Sequence, residues 1–273
     1  IKLQDREKIF VERINIFGNF ITDEKVIRNS LIIDEGDPFN DVLFNRSISN
    51  IKALNIFKDV NFKSTDIDNS SKVIDITVEE RPTGEIFAGA GTGTTGSNIT
   101  AGIKENNYRG LGIKLDTNLT LTEDSIKGKF SVLNPNYNNT DKSIKTVIES
   151  SSDDFFSLSG YKTSKTGFVI GTEFEQMNDF FINIEMSNYY ENLKTSSSAN
   201  SIVKKQEGSY YENLLTYSLK YNKLDQNFQP TDGYINFFEQ KLPLISDDRS
   251  LENKFTNSIY HSISDNIIVS TQF

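Results

Sequence analysis

Gly112-Ile-Lys-Leu-Asp-Thr-Asn-Leu-Thr-Leu-Thr122 decides the architecture. Ile113, Leu115, Thr117, Leu119 and Leu121 alternate with Lys114, Asp116, Asn118 and Thr120. Successive strand residues point to opposite faces, so a period of two sorts side chains onto two surroundings. One face here is apolar and the other suits water. The pattern recurs from Glu85 to the end of the chain, with no helical segment between strands to cover the sheet. Only helices and closed barrels satisfy their backbone groups in lipid. The repeated alternation therefore predicts a transmembrane β-barrel, with lipid on one side and water on the other.

Working outward, the predicted strands are Glu85–Thr94, Asn98–Glu105, Gly112–Thr122, Ile126–Asn134, Ser143–Ser152, Thr166–Glu175, Phe180–Asn188, Leu214–Asn222, Thr231–Leu242, Glu252–Ser264 and a beginning at Ile267–Phe273. That is about ten complete strands and a stub, near the roughly nine to eleven residues a tilted spanning strand needs. Connections after the even-numbered strands hold turn residues: Asn106-Asn-Tyr-Arg-Gly110, Asn134-Pro-Asn136, Gln176–Asp179 and Pro230-Thr-Asp-Gly233. Several of the others are richer in Ser and Asn, and Glu191–Ser209 is expected to be a long outer loop. Short turns mark the periplasmic side of bacterial barrels.

Composition agrees with this reading and excludes other classes. The 273 residues carry 38 acidic and 29 basic side chains, a net charge of −9, which argues against nucleic-acid binding. No run approaches the roughly twenty apolar residues of a spanning helix. A barrel needs none, because only alternate residues face lipid. There is no cysteine, so disulfide and thiol chemistry are absent. Ile1-Lys-Leu-Gln-Asp-Arg6 lacks the apolar core of a signal peptide, so an exported form would be mature or internal.

Residues 8–81 follow different rules. Phe10–Phe17 reads as a strand ended by Gly18-Asn19. Thr22 or Asp23 can cap a helix bearing Val26, Ile27 and Leu31, and Glu35-Gly-Asp-Pro38 breaks it. Asn40 can cap a second helix with Val42, Leu43, Ile48, Ile51 and Leu54 at helical spacing. Val60 and Phe62 mark another strand, and Val73–Glu79 alternates with Ile74, Ile76 and Val78 inward. The order β-α-α-β-β is a small α+β domain with its helices on one side of the sheet.

Val11-Glu-Arg-Ile-Asn-Ile-Phe-Gly-Asn19, Glu35-Gly-Asp-Pro38, Leu54-Asn-Ile-Phe-Lys-Asp-Val60 and Val78-Glu-Glu80 resemble a POTRA domain in order and spacing. POTRA domains are periplasmic modules of outer-membrane assembly proteins. Glu105-Asn-Asn-Tyr-Arg-Gly-Leu-Gly112, Ser131-Val-Leu-Asn-Pro-Asn-Tyr137, and Tyr221-Asn-Lys-Leu-Asp225 followed by Pro230-Thr-Asp-Gly233 resemble the barrel of BamA-like assembly factors. The resemblance runs from about Lys8 to the end. It departs from that family in strand number, about sixteen there, and in lacking Val-Arg-Gly-Phe. The chain is accordingly read as a POTRA domain, 8–81, plus a partial barrel, 85–273.

The resemblance implies a function. Residues Ile86, Phe87, Ala88, Gly89, Ala90, Gly91 and Gly93 fall on the strand that forms one side of a lateral gate in such proteins. Glycine weakens a strand and permits close backbone approach. An easily opened edge can pair with a client strand by β-augmentation. A plainer account is that small residues fit a crowded interior. Glu35, with Arg28, matches a position used to dock an accessory lipoprotein. Pro230, Asp232 and Gly233 read as a structural turn. The implied partners are unfolded outer-membrane proteins, accessory lipoproteins and outer-membrane lipid, with no nucleic acid. The implied location is the outer membrane, with the POTRA domain in the periplasm.

Chemistry-bearing residues are sparse. His261 is the single histidine and falls on a strand, without a placed partner for acid–base work. Asp153-Asp154 and Asp247-Asp248 read as solvated loop charge. Gly89-x-Gly91-x-Gly93 has no following helix, so it is no phosphate loop. No catalytic, metal or cofactor site is expected, and the protein is expected not to be an enzyme. Two alternatives stand beside barrel assembly: a related outer-membrane transporter that secretes a polypeptide, and a soluble β-rich binding protein.

Overall fold

A computed structural model describes residues 8–68, 70–93, 96–225, 229–246, 250–264 and 267–273. It divides into two compact units, Ile1–Ile86 with Ile103–Leu115, and Phe87–Gly102 with Asp116–Phe273.

The N-terminal fold is β1 (Phe10–Phe17), α1 (Glu24–Arg28), α2 (Asp41–Ala53), β2 (Phe57–Asp66) and β3 (Ser71–Glu80). β3 lies central, parallel to β1 and antiparallel to β2. Asp23, rather than Thr22, caps α1 by accepting from the Lys25 amide at 2.9 Å. Asn40 caps α2 through the Val42 and Leu43 amides. The expected inward face of β3 is buried: Ile74, Ile76 and Val78 pack with Val11, Ile14, Ile27, Phe44, Ile48 and Ile51. Val42, expected in the helical stripe, is exposed, and Phe44 takes the core position, meeting Phe62 edge-on at 4.9 Å.

The remaining strands form one antiparallel sheet in chain order: β4 (Gly84–Gly93), β5 (Gly96–Tyr108), β6 (Ile113–Thr122), β7 (Ser125–Asn134), β8 (Lys142–Phe155), β9 (Tyr161–Met177), β10 (Phe180–Thr195), β11 (Gly208–Asn222), β12 (Gly233–Ser246), β13 (Glu252–Ser264) and β14 (Ile267–Gln272). All eleven expected strands are present, though Thr94, placed in the first of them, lies outside the described residues. β4 and β14 are the two edges. The described strands fall in this sheet and the three-stranded one.

Register sorts the faces as the alternation requires. Phe130 pairs with Ile148, Ile148 with Phe168, Ile170 with Met186, and Met186 with Leu215, all on one face. The opposite face carries ion pairs across strands: Lys145–Glu185 at 3.2 Å, Lys165–Glu212 at 3.3 Å, Lys220–Glu173 at 3.5 Å and Lys241–Glu252 at 3.1 Å. The Tyr189 hydroxyl donates to Glu149 at 2.7 Å on that face. Half-exposed pairs of this kind add little stability each. Their arrangement is what counts: charge on one face and apolar side chains on the other.

Several strands are longer than expected. β9 starts at Tyr161 and β10 runs to Thr195. The supposed long loop Glu191–Ser209 is therefore partly strand, and only 196–207 connect β10 to β11, holding α3 (Ser201–Lys205). Asp153 and Asp154 are not loop residues. They end β8 and pair with Lys127 and Lys162. Asp247-Asp248 lie outside the described residues. The length contrast between the two ends of the sheet is also weaker than expected. The link 123–124 has two residues, whereas 223–232 lies at the end joined to the N-terminal domain.

Candidate functional site

The site begins with the edge strand. β4 has one hydrogen-bonded neighbour, β5, and its other side is unpaired within the sheet. Ile86 is 81% exposed, and Ala88 and Ala90 beside it are also exposed. A Cβ added at Gly91 would meet the Asn98 carboxamide oxygen at 3.0 Å, and one at Gly102 would meet the Phe87 ring at 2.4 Å. Phe87 thus lies over Gly102 of β5, an aromatic ring covering a strand glycine across the ladder. Phe87, Gly89 and Gly91, alternating along β4, share that polar face, while Ile86, Ala88 and Ala90 share the apolar one. A Cβ at Gly89 would meet nothing within 4 Å. Crowding among the described residues therefore does not account for Gly89.

A second cluster lies within the first compact unit. The Glu80 carboxylate accepts from the Thr22 amide at 2.7 Å and the Ile21 amide at 3.0 Å. Thr22 in turn accepts at its hydroxyl from the Asn107 carboxamide, 2.9 Å, and Asn107 accepts from the Gly112 amide, 2.7 Å. Thr22 and Asn107 are both buried. The Asp23 amide donates to the Gly110 carbonyl at 2.8 Å. Gly110 has φ +75°, and a Cβ there would lie 2.0 Å from the Ile21 carbonyl oxygen. The Asn106-Asn-Tyr-Arg-Gly110 turn between β5 and β6 is thus held against the loop that follows β1. Residue spacing offers no signal for this, since Thr22 lies 58 positions from Glu80 and 85 from Asn107.

Burial opposes ionisation of Glu80, yet the Thr22 hydroxyl and the Thr22, Ile21 and Phe20 amides hold its carboxyl below the usual range. A carboxyl with a depressed folded pKa adds stability above its unfolded value, about 4.3, that disappears as pH falls through the folded value. Hydrogen exchange at the Ile21 and Thr22 amides is therefore expected to speed up, after correction for intrinsic rates, as pH drops below about 4. Glu80→Gln should remove that pH dependence. Unchanged exchange in both proteins would discount the clamp.

Arg28 and Glu35 come together. Their side chains approach to 3.6 Å, Glu35 accepts from the Ile14 amide at 2.9 Å, and Arg28 donates to the Ile14 carbonyl at 2.9 Å. Turn formation alone leaves Glu35 without a role. The structure supplies one: with Arg28 it satisfies both polar groups of a residue on the outer strand β1. Both side chains remain part-exposed.

In the Tyr221-to-Gly233 motif the organising carboxylate is Asp225. It accepts from the Thr231 amide at 3.0 Å, the Thr231 hydroxyl at 2.5 Å and the Asp232 amide at 3.2 Å. Asp232 lends its backbone, and its own carboxylate lies 3.4 Å from His261. Gly233 has φ +104°, and a Cβ there would lie 2.1 Å from the Lys223 carbonyl. Asp225→Ala is expected to destabilise this turn by about 1–2 kcal/mol. Faster exchange of the Thr231 and Asp232 amides would show it, and unaltered protection would refute it. His261, on β13, is exposed and lies beside Asp232. No group of three potential metal ligands converges among the described residues.

A small α+β module followed by a sheet with one apolar and one charged face defines a class: outer-membrane β-barrel proteins with periplasmic POTRA modules. The chain belongs to the Omp85 superfamily, whose domain model matches residues 107–273. A POTRA model, described as a surface antigen variable number repeat, matches residues 9–81. The chain is similar to the outer membrane protein assembly factor BamA of Neorickettsia risticii, 26% identical over 271 residues, 95% of this chain and 36% of that protein. BamA of Neisseria meningitidis serogroup B is 23% identical over 265 residues, 89% and 33%. The chain thus spans about a third of the length of these curated relatives. Among solved structures, BamA from Haemophilus ducreyi lacking POTRA domains 1–3 superposes with TM-score 0.69 at 20% identity, over 97% of this chain and 54% of that one. CdiB from Acinetobacter baumannii gives 0.56 at 10% identity, over 97% and 51%. The location follows from the family: the outer membrane, with the POTRA domain in the periplasm.

Proposed function

We propose that the protein assembles and inserts β-barrel proteins into the outer membrane, with β4 as the pairing edge of a lateral gate. The observation that carries this reading is the state of β4. It bears Gly89 and Gly91, and the described packing does not require a missing side chain at Gly89. Glycine weakens a strand, so β4 parts readily from a neighbour, and strand groups opened in lipid are very unfavourable until paired again. A client strand supplies those hydrogen bonds by β-augmentation, in a process that makes and breaks no covalent bond. Residues 8–81 act as the periplasmic module and 85–273 as the spanning region. Arg28 and Glu35 offer a part-exposed charged pair beside β1 where an accessory lipoprotein docks.

Polypeptide secretion by a related outer-membrane transporter is the second reading. Depleting the full-length protein from its own cell separates the two. Barrel assembly predicts a general loss of other barrels from the outer membrane. Loss of one secreted polypeptide with the remaining barrels intact would sink the assembly reading.

A further inference from the structure

The loop that follows β1 carries two apolar side chains without cover. Phe20 is 95% exposed and Ile21 is 74% exposed. Their backbone, by contrast, is held. The Glu80 carboxylate accepts from the Ile21 and Thr22 amides, and the Asp23 amide donates to the Gly110 carbonyl. The Ile21 carbonyl lies so close to Gly110 that a Cβ there would clash. Leu111, the next residue, is 48% exposed. All of these residues belong to the first compact unit. Single exposed apolar side chains are ordinary, but a group of them on a fixed backbone marks an interaction surface.

The place where the loop is held says what meets it. β3 ends at Glu80 and β4 starts at Gly84, and the Asn106 amide donates to the Thr83 carbonyl at 3.3 Å. The β5–β6 turn is therefore at the periplasmic end of its spanning hairpin. Parity along β5 fixes the side. Ile99, Ala101 and Ile103 form its apolar, lipid-facing row, and Asn107 continues that row. The Asn107 carboxamide donates to the Thr22 hydroxyl, so the loop meets β5 on its lipid-facing side. Four strand residues cover about 13 Å, and a tilt of about 45° leaves about 9 Å of depth between Ile103 and Asn107. The polar layer beside the hydrocarbon core is about 5–7 Å thick, so Asn107 and Thr22 fall at this layer when Ile103 is in the core. Tyr108 and Arg109 of the same turn are exposed. An aromatic ring and a long basic side chain are the residue types that this depth favours.

We propose that Phe20, Ile21 and Leu111 anchor the first unit to the periplasmic leaflet. The side chains of Phe20 and Ile21 enter the boundary between glycerol and acyl chains of its phospholipids, and Tyr108 and Arg109 meet the headgroups. Glycerophospholipid is the occupant because the surface continues the lipid-facing row of a spanning strand. The anchor rests on the outer-membrane location and does not depend on how clients are inserted.

This chain has no tryptophan, so Phe20→Trp adds one emitter, read in the full-length protein as the difference from the unsubstituted form. The proteins are placed in phosphatidylethanolamine vesicles containing phosphatidylcholine brominated either near the ester carbonyl or near the chain end. Bromine near the carbonyl should lower the emission at position 20 roughly twofold, and bromine near the chain end should lower it less, as an interfacial depth requires. Ile21→Trp should behave alike. Ile67→Trp is the control. Ile67 is 54% exposed just before β3, and the ten residues of β3 put it about 30 Å from Glu80. Emission at position 67 should not change. Heat-dependent gel mobility reports whether each variant is folded, and if Phe20→Trp is not, Ile21→Trp decides the matter. Emission at both loop positions indifferent to either brominated lipid would overturn the anchor and leave the surface to a protein partner. Equal quenching at position 67 would also overturn it, because the whole domain would then lie on the membrane.

Discussion

Replacing Gly89 and Gly91 together by valine is expected to slow client insertion by the full-length protein roughly tenfold or more. Valine is among the best strand formers and glycine among the worst, with a span of about 1 kcal/mol per position. Two positions thus strengthen β4 by about 2 kcal/mol, a factor of about 30 between its paired and opened forms. The fold has room for the change. A Cβ at Gly89 meets nothing, and at Gly91 it displaces only the end of the Asn98 side chain. The prediction therefore concerns how readily the edge opens, not whether the sheet forms. Phe87→Ala should act in the opposite sense, because it uncovers Gly102 and loosens β4 from β5. The measurement is the rate at which an unfolded model barrel acquires protease resistance in liposomes containing each variant. An unchanged rate, with slower amide exchange in β4, would separate edge strength from insertion and remove the gate role.

Ile76→Ala should have the largest effect on stability. Ile76, on the central strand β3, is fully buried in the hydrophobic core, and truncation of such a side chain costs about 2–5 kcal/mol. Small domains hold a total of roughly 5–10 kcal/mol, so the POTRA fold would become marginal. β3 also carries Glu80, so the clamp on Ile21 and Thr22 should loosen with it. Strands β8 to β12 are paired to one another by their own ladders and should keep their heat-dependent gel mobility. Hydrogen exchange by segment checks both statements. Protection in β1 to β3 should collapse while β8 to β12 stay protected, and simultaneous loss in both would show that the two units fold together.

The parts of the fold legible from residues alone were those written in local periodicity. Glu252–Ser264 coincides with β13, and Asn40 caps α2, because alternation and capping act within a few residues. The errors occur where local pattern stops reporting environment. Tyr161–Lys165 and Tyr189–Thr195 are strand, yet they lie beyond the apolar band where both faces meet polar surroundings, so no alternation marks them. The glycine-rich strand was identified by composition and resemblance. That Phe87 folds over Gly102 depends on pairing. Arg28 and Glu35 were singled out as a docking pair, but their hold on both polar groups of Ile14 appears only when β1 is laid beside the turn at 35–38. Asp225 sat unnoticed inside a recognised motif because its partners, Thr231 and Asp232, are joined to it by turn geometry rather than by spacing.

By itself, the sequence determined that Ile113 to Leu121 and their counterparts separate two surroundings, because the side-chain period of a strand is a property of the backbone. It also determined the β-α-α-β-β module, through capping residues and apolar spacing. Only the tertiary structure decided that Glu80, Thr22 and Asn107 form one buried chain of hydrogen bonds and that Phe20 and Ile21 stand exposed on the loop it holds. Those outcomes depend on distances between segments far apart in the chain, and hydrogen bonds form only where folding brings donor and acceptor within about 3 Å.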